Sequence, residues 1–138
     1  MRSSMVVIVL IAFVSLAAPP ASAHHSFAAE FDASKRVTLT GVVTKVEWTN
    51  PHVWFFVNVK DESTGKVVNW GAEMGSPNAL NRTGWTANTM TVGMVVSFTG
   101  SRAKDGSNTV NTSAVMVDGK RLGAASSEGR PVENRTEQ

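Results

Sequence analysis

The chain of 138 residues contains no cysteine and no tyrosine. Without cysteine it cannot form disulfides, thiolate metal sites, a thiol nucleophile or a lipoprotein anchor. Only three histidines are present, so few side chains could carry acid–base chemistry near neutral pH. The sequence also lacks a nucleophile motif, a phosphate-binding glycine loop and paired carboxylates at catalytic spacing. We therefore expect a non-enzymatic protein.

The chain also has little excess of positive over negative charge. Thirteen lysines and arginines nearly balance eleven aspartates and glutamates, which leaves a formal net charge of +2. A domain that binds nucleic acid normally carries a clustered basic surface. We therefore expect no nucleic-acid partner, and the oligomeric state is left open.

The first 23 residues have the features of an export signal. Arg2 supplies a positive start, an apolar run follows at 5–18, and Ala21-Ser22-Ala23 has the spacing of a cleavage site. The apolar run is short for a membrane span, and no second run follows it. We predict cleavage of residues 1–23, a periplasmic or secreted location, and no membrane anchor after cleavage.

The rest of the chain divides into three parts by composition. Residues 24–36 are interpreted as an N-terminal strap. Phe27 and Phe31 are four residues apart, so they lie either on one face of a short helical turn or at two anchors of an irregular strap across the core. Residues 37–122 form the predicted domain. Residues 123–138 are rich in small and polar residues, which is typical of a disordered tail.

Alternating apolar residues predict five strands within the domain, at 37–48, 52–60, 67–74, 94–100 and 109–117. The second and third are the clearest, because side chains alternate between two faces with period two. Their predicted core faces consist of Val53, Phe55, Val57 and Val59, and of Val68, Trp70, Ala72 and Met74. Gly41, in the middle of the first strand, predicts a bulge or a sharp coil.

A short helix is predicted between the third and fourth strands. Ser76 is a good N-cap, Pro77 suits the first helical position, and Gly84 suits the end. Five strands with a helix in this place is the element order of the OB-fold, a small Greek-key barrel. We predict an all-β, five-stranded OB-like Greek-key barrel with one short helix, with another small β-barrel or sandwich as the alternative.

The predicted cleavage also creates a candidate metal site. It would leave a free α-amino group on His24, followed by His25, and amine and imidazole nitrogens together favour Cu(II). His52 is the remaining histidine, at the start of the second strand, and Glu47 or Glu73 could add an oxygen ligand. We predict copper binding by His24, His25 and His52. The alternatives are a disordered polar leader and, less favoured, a copper oxidase.

A second candidate site lies on the outer face of the second and third strands. Its residues combine aromatic rings with amide and carboxyl groups, and they are Trp54, Phe56, Asn58, Asn69 and Glu73. This face binds ligands in OB-folds, and a glycan, a peptide or a small molecule would suit it. Alternatively, the strap covers these rings. A strap in that position would also bring His24 or His25 towards His52.

Several short motifs together resemble an exported bacterial family of unknown function. They include His-His-Ser-Phe at 24–27 and Trp-Thr-Asn-Pro-His at 48–52. The resemblance covers about residues 24–122 and implies a periplasmic or secreted location. It implies no activity.

Overall fold

The computed structural model describes residues 27–127, which form a mostly antiparallel β-structure. The elements in chain order are α1 (Phe27–Glu30), β1 (Phe31–Glu47), β2 (Trp54–Lys60), β3 (Val67–Glu73), α2 (Pro77–Asn81), β4 (Val95–Ala103), β5 (Thr109–Val117) and β6 (Lys120–Gly123). The predicted all-β class is confirmed, as is the short helix between the third and fourth strands. α1 lies where Phe27 and Phe31 indicated a short helical turn, whereas β6 was not predicted.

The strands form a ring-like sheet. β1 pairs with β2 on one side and with β4 on the other, and all of these pairs are antiparallel. β5 pairs with β4 along one edge, while its other edge pairs with β3 in parallel and then with β6. The resulting circuit β1-β2-β3-β5-β4 is the strand connectivity expected of the predicted OB-like topology.

Gly41 marks the place where β1 passes from one neighbour to the other. Up to Val42 the strand pairs with β4, and from Val42 onward it pairs with β2. A Cβ atom on Gly41 would lie 2.1 Å from the carbonyl oxygen of Asn58, so only glycine allows the two backbones to approach this closely. The register shifts just afterwards, between Val43 and Lys45. The predicted bulge is confirmed close to this glycine.

Both ends of the domain differ from the sequence-based boundaries. β1 begins at Phe31, so residues 31–36 of the predicted strap belong to a strand that pairs with β4. At the other end, Ala124 is fully buried, and its carbonyl accepts a hydrogen bond from the amide of Gly75 at 2.8 Å. The fold therefore includes the first residues of the predicted tail. Residues 1–26 and 128–138 lie outside the described part of the chain.

The predicted core faces of β2 and β3 are confirmed. Val53, Phe55, Val57 and Ala72 have no exposed surface, and Met74 is 1% exposed. They pack with apolar side chains from the rest of the ring, among them Val43, Leu80, Trp85, Val96, Phe98, Val110 and Val115. None of the helices in residues 27–127 is both long enough and apolar enough to span a membrane.

α2 has the predicted cap. The hydroxyl of Ser76 accepts a hydrogen bond from the amide of Ala79 at 3.2 Å, and Pro77 occupies the start of the helix. Leu80 is fully buried, and the indole of Trp85 donates a hydrogen bond to the carbonyl of Gly123 at 2.8 Å. The helix and the tryptophan after it therefore close one end of the core.

Removing this cap should destabilise the protein measurably. Ser76→Ala leaves the amide of Ala79 without its side-chain acceptor, and we expect a loss of about 1 kcal/mol in the free energy of unfolding, measured by urea denaturation. Ser76→Asp is the matched control, because a carboxylate accepts the same bond and should retain most of the stability. Equal losses in both variants would contradict a capping role.

Candidate functional site

A cleft of about 720 Å³ opens at one end of the ring. Its walls come from α1 and the start of β1, the β1–β2 loop, the adjoining ends of β2 and β3, and the β4–β5 loop. The lining residues are Ala29, Glu30, Phe31, Pro51, His52, Trp54, Glu73, Ala103, Lys104, Asp105, Ser107 and Thr109. A concave space of this size suits a small molecule, and these loops flank the ligand face of OB-folds.

The wall formed by α1 is attached to the β4–β5 loop. The amide of Lys104 donates a hydrogen bond to the carbonyl of Glu30 at 2.8 Å, and its ammonium donates to the carbonyl of Ala28. The rings of Phe27 and Phe31 stack with centroids 5.9 Å apart, and Phe31 is 5% exposed. These contacts hold the beginning of the described chain against the cleft.

His52 lines the cleft with its ring orientation set by the end of β3. Its Nδ1 lies 3.0 Å from the carbonyl oxygen of Met74 and 3.4 Å from Oε1 of Glu73. A carbonyl oxygen can only accept, so Nδ1 carries the hydrogen, and the neutral ring presents Nε2 with its lone pair. Histidines that bind metals usually donate their other ring N–H to a carbonyl or a carboxylate in this way.

The described residues include only part of the predicted set of metal ligands. His24 and His25 lie outside the described residues. Within residues 27–127, no group of three or more histidine, aspartate or glutamate side chains is placed to hold a metal ion. His52 and Glu73 come together, whereas Glu47 is outside the cleft and forms an ion pair with Lys45.

The two aromatic residues of the predicted ligand face, Trp54 and Phe56, are held in place by neighbouring residues. Trp54 and Phe56 stack with centroids 6.4 Å apart and an angle of 19° between their planes. Both rings lie close to Gly71 on β3, where an added Cβ would meet them at 3.4 to 3.6 Å. The ammonium of Lys45 lies 5.5 Å from the centroid of the Phe56 ring. Both aromatic residues are half-buried.

The strap does not take the position that the sequence suggested. Residues 31–36 pair along β4 instead of crossing the outer face of β2 and β3. The reason is that the far end of β4, from Ser101 to Ala103, needs hydrogen-bonding partners, and the start of β1 provides them. α1 still reaches the cleft, on a wall that also includes Phe31.

The five residues of the predicted ligand face separate into two groups. Trp54 and Glu73 line the cleft with His52, whereas Phe56, Asn58 and Asn69 lie farther along the sheet and are not among the lining residues. The two asparagines are cross-strand partners, and the side-chain Nδ2 of Asn69 donates to the side-chain Oδ1 of Asn58 at 2.9 Å. Their polar groups therefore stabilise the β2–β3 pair.

Sequence reasoning did not place α1 and the β4–β5 loop at the site. Their lining residues include Glu30, Lys104, Asp105 and Ser107, and Phe31 follows α1. Asp105-Gly106 is a pair typical of turns, but a turn motif does not specify which cavity it borders. Only the meeting of the β4–β5 loop with α1 brings these residues to the site.

The cleft has an acidic character. Within the described part of the chain, Glu30, Glu73 and Asp105 line it together with Lys104. The hydroxyl and the backbone amide of Ser107 both hydrogen-bond the carboxylate of Asp105 and lower its pKa. Glu73 is only 8% exposed and lies beside His52. The described lining therefore carries more acidic than basic side chains.

Comparison with known proteins connects the chain to one family. A family profile matches residues 12–112, and its description is a family of unknown function, DUF6152. Searches of curated proteins and of solved structures returned no match. Because the profile covers most of the chain, the resemblance to a family of unknown function is confirmed, and the protein belongs to the family of unknown function DUF6152.

Proposed function

We propose that this protein is an exported, non-enzymatic binding protein that holds Cu(II) in its cleft through His24, His25 and His52. One observation carries the proposal. The Nδ1 atom of His52 is occupied by the carbonyl of Met74 at 3.0 Å, so Nε2 is the nitrogen available to a metal. The neighbouring carboxylate of Glu73 supports this tautomer from 3.4 Å.

The position of α1 supports the participation of the other two histidines. α1 begins at Phe27 and contributes a wall of the cleft. Each extended residue advances the chain by about 3.3–3.6 Å, so two or three residues before Phe27 span about 7–11 Å. Cleavage after Ala23 would therefore leave an amine and two imidazoles within that distance of Phe27, at the start of the helix that lines the cleft.

Copper is favoured by the chemistry of these donors. An α-amine and imidazole nitrogens are the ligands that Cu(II) accepts in a tetragonal arrangement, and copper heads the affinity order of the divalent metals. No thiolate is present that would favour Cu(I). The contact of Glu73 with the Nδ1 side of His52 gives that carboxylate an orienting role instead of the ligand role that the sequence suggested.

A Cu(II) titration tests the proposal directly. The protein used should begin at His24, confirmed by mass, and a version with one extra methionine before His24 is the matched control. We expect one-to-one binding, with an affinity at least about tenfold lower in the extended version because the chelating amine is displaced. Binding that is absent, or indifferent to the extra residue, would overturn the proposal.

A variant at His52 tests the third ligand. In His52→Asn, the amide nitrogen can still donate to the carbonyl of Met74, but the Nε2 ligand is lost. We expect Cu(II) affinity to fall about tenfold to a hundredfold, while the melting temperature without metal changes little. Glu62→Gln, in the exposed β2–β3 loop, is the control and should bind as the unaltered protein does. Equal affinity in all three proteins would exclude His52 as a ligand.

The second candidate function is a ligand- or protein-interaction module in which the histidines are incidental. The stacked, half-buried pair of Trp54 and Phe56 is the observation that favours it. A ligand that binds only the folded state raises its stability by mass action. Stabilisation by copper would therefore support the metal site, whereas stabilisation by an organic ligand in the presence of a chelator would support the interaction module.

A further inference from the structure

We propose that the cleft binds a small organic cation, an alkylated ammonium compound, with the Trp54 ring as its platform and Glu73 as its counter-charge. The proposal does not rest on copper binding. It uses the wall formed by β2 and β3 and requires neither His24 nor His25. The observations that carry it are the aromatic surface, the charge of the lining and the size of the cleft.

The first observation concerns the aromatic rings. The chain already places its own cations over two other rings, since Lys45 lies 5.5 Å from the Phe56 centroid and Arg102 lies 5.0 Å from that of Trp70. Among residues 27–127, no cation lies over Trp54, which lines the cleft. Tryptophan has the most favourable ring for a cation, and the stack on Phe56 holds it in place.

The second observation is the charge of the lining. Among residues 27–127, three carboxylates and the ammonium of Lys104 line the cleft. That ammonium is directed to the carbonyl of Ala28, and Glu73 also contacts His52. Glu73 is 8% exposed, and its cross-strand partner on β2 is Trp54. A carboxylate with little access to water attracts a cation more strongly than an exposed one does. The aromatic platform and the buried charge therefore lie side by side.

The third observation concerns the competing ligand classes. Phosphates and other anions would be repelled by the carboxylates of the lining. A neutral sugar would stack on Trp54 and donate its hydroxyls to the carboxylates, but it would leave their charge unbalanced, and the side-chain amides of Asn58 and Asn69 lie outside the cleft and bond to each other. A volume of about 720 Å³ is also much larger than a bare ammonium ion requires. A cation with a hydrocarbon body fits the lining best.

Two probes of the same shape test the proposal. Choline carries the quaternary ammonium, and 3,3-dimethyl-1-butanol is its uncharged isostere. Each is titrated into the protein with a chelator present, so that metal binding cannot contribute, and binding is followed by NMR shifts of the indole signals. We expect choline to bind with a Kd of about 1 mM or lower, and the alcohol to bind at least about tenfold more weakly.

Variants identify the residues that bind choline. Trp54→Leu should weaken choline binding about tenfold, and Trp54→Phe should weaken it less, because the phenyl ring retains part of the cation–π attraction. Glu73→Gln should also weaken it, whereas Glu62→Gln in the exposed loop should not. Melting curves establish that each variant is folded, and Trp54→Phe retains an aromatic ring if Trp54→Leu does not fold.

Three results would overturn the proposal. They are no choline binding at about 10 mM, equal binding of choline and the alcohol, and choline affinity unchanged in a folded Trp54 variant. Each is independent of copper. Failure of the Cu(II) titration together with choline binding would reject only the metal site, and the reverse pattern would reject only the cation site.

Discussion

Replacing Phe55 with alanine is expected to lower the free energy of unfolding by about 3–5 kcal/mol. Phe55 has no exposed surface and packs edge-to-face against Phe98, with ring centroids 5.3 Å apart and an angle of 82°. The substitution removes buried apolar area, leaves a cavity and breaks the aromatic pair. Urea denaturation of the unaltered and variant proteins measures the loss.

The control for this prediction is Val67→Ala. Val67 is 61% exposed at the start of β3, so its truncation removes little buried surface. We expect a change within about 0.5 kcal/mol. A domain of this size has a total stability of about 5–15 kcal/mol, so the Phe55 variant should lose a large share of it. Losses of similar size in both variants would contradict the assignment of Phe55 to the core centre.

The second large effect on the free energy of unfolding is expected from substitution of Gly41. In Gly41→Ala, the added methyl would lie 2.1 Å from the carbonyl oxygen of Asn58 and 2.8 Å from a methyl of Val57. Because the nearest atom belongs to the backbone of β2, relief requires β1 and β2 to separate where they are paired. We expect a loss of about 3 kcal/mol or more in the free energy of unfolding, at the upper end of overpacking effects.

Gly123→Ala is the matched control for the close approach at Gly41. Gly123 lies in β6, and a Cβ there would meet no atom within 4 Å. We expect a change within about 1 kcal/mol, measured by thermal and urea unfolding of both variants. If the two glycine variants lose the same stability, the close contact between β1 and β2 is not what requires glycine at position 41.

Local patterns predicted the strands and their inner faces well. The alternation from Val53 to Val59 identified the buried face of β2, because side chains in a strand alternate between two sides whatever lies around them. The cap at Ser76 and the turn-forming Pro77 likewise act within a few residues. These features depend on neighbours in sequence, which is why they could be read without a structure.

The turn before β6 has a sequence motif of its own. Asp118 and Gly119 both have positive φ, at 49° and 75°, and they join β5 to β6 in a tight hairpin. Asp-Gly between two strands is a strong hairpin motif. The strand after it is difficult to predict, because β6 has four residues and its only large apolar residue is Leu122.

The sequence by itself determined the all-β class, the order of the five main strands, the helix between β3 and β4, and the inner faces of β2 and β3. Only the tertiary structure decided that β1 starts at Phe31 and that α1 and the β4–β5 loop form a cleft around His52. The physical reason is the range of the interactions. Burial patterns repeat along a strand, whereas strand pairing and cleft walls depend on hydrogen bonds between residues far apart in the chain, such as that of Lys104 with Glu30.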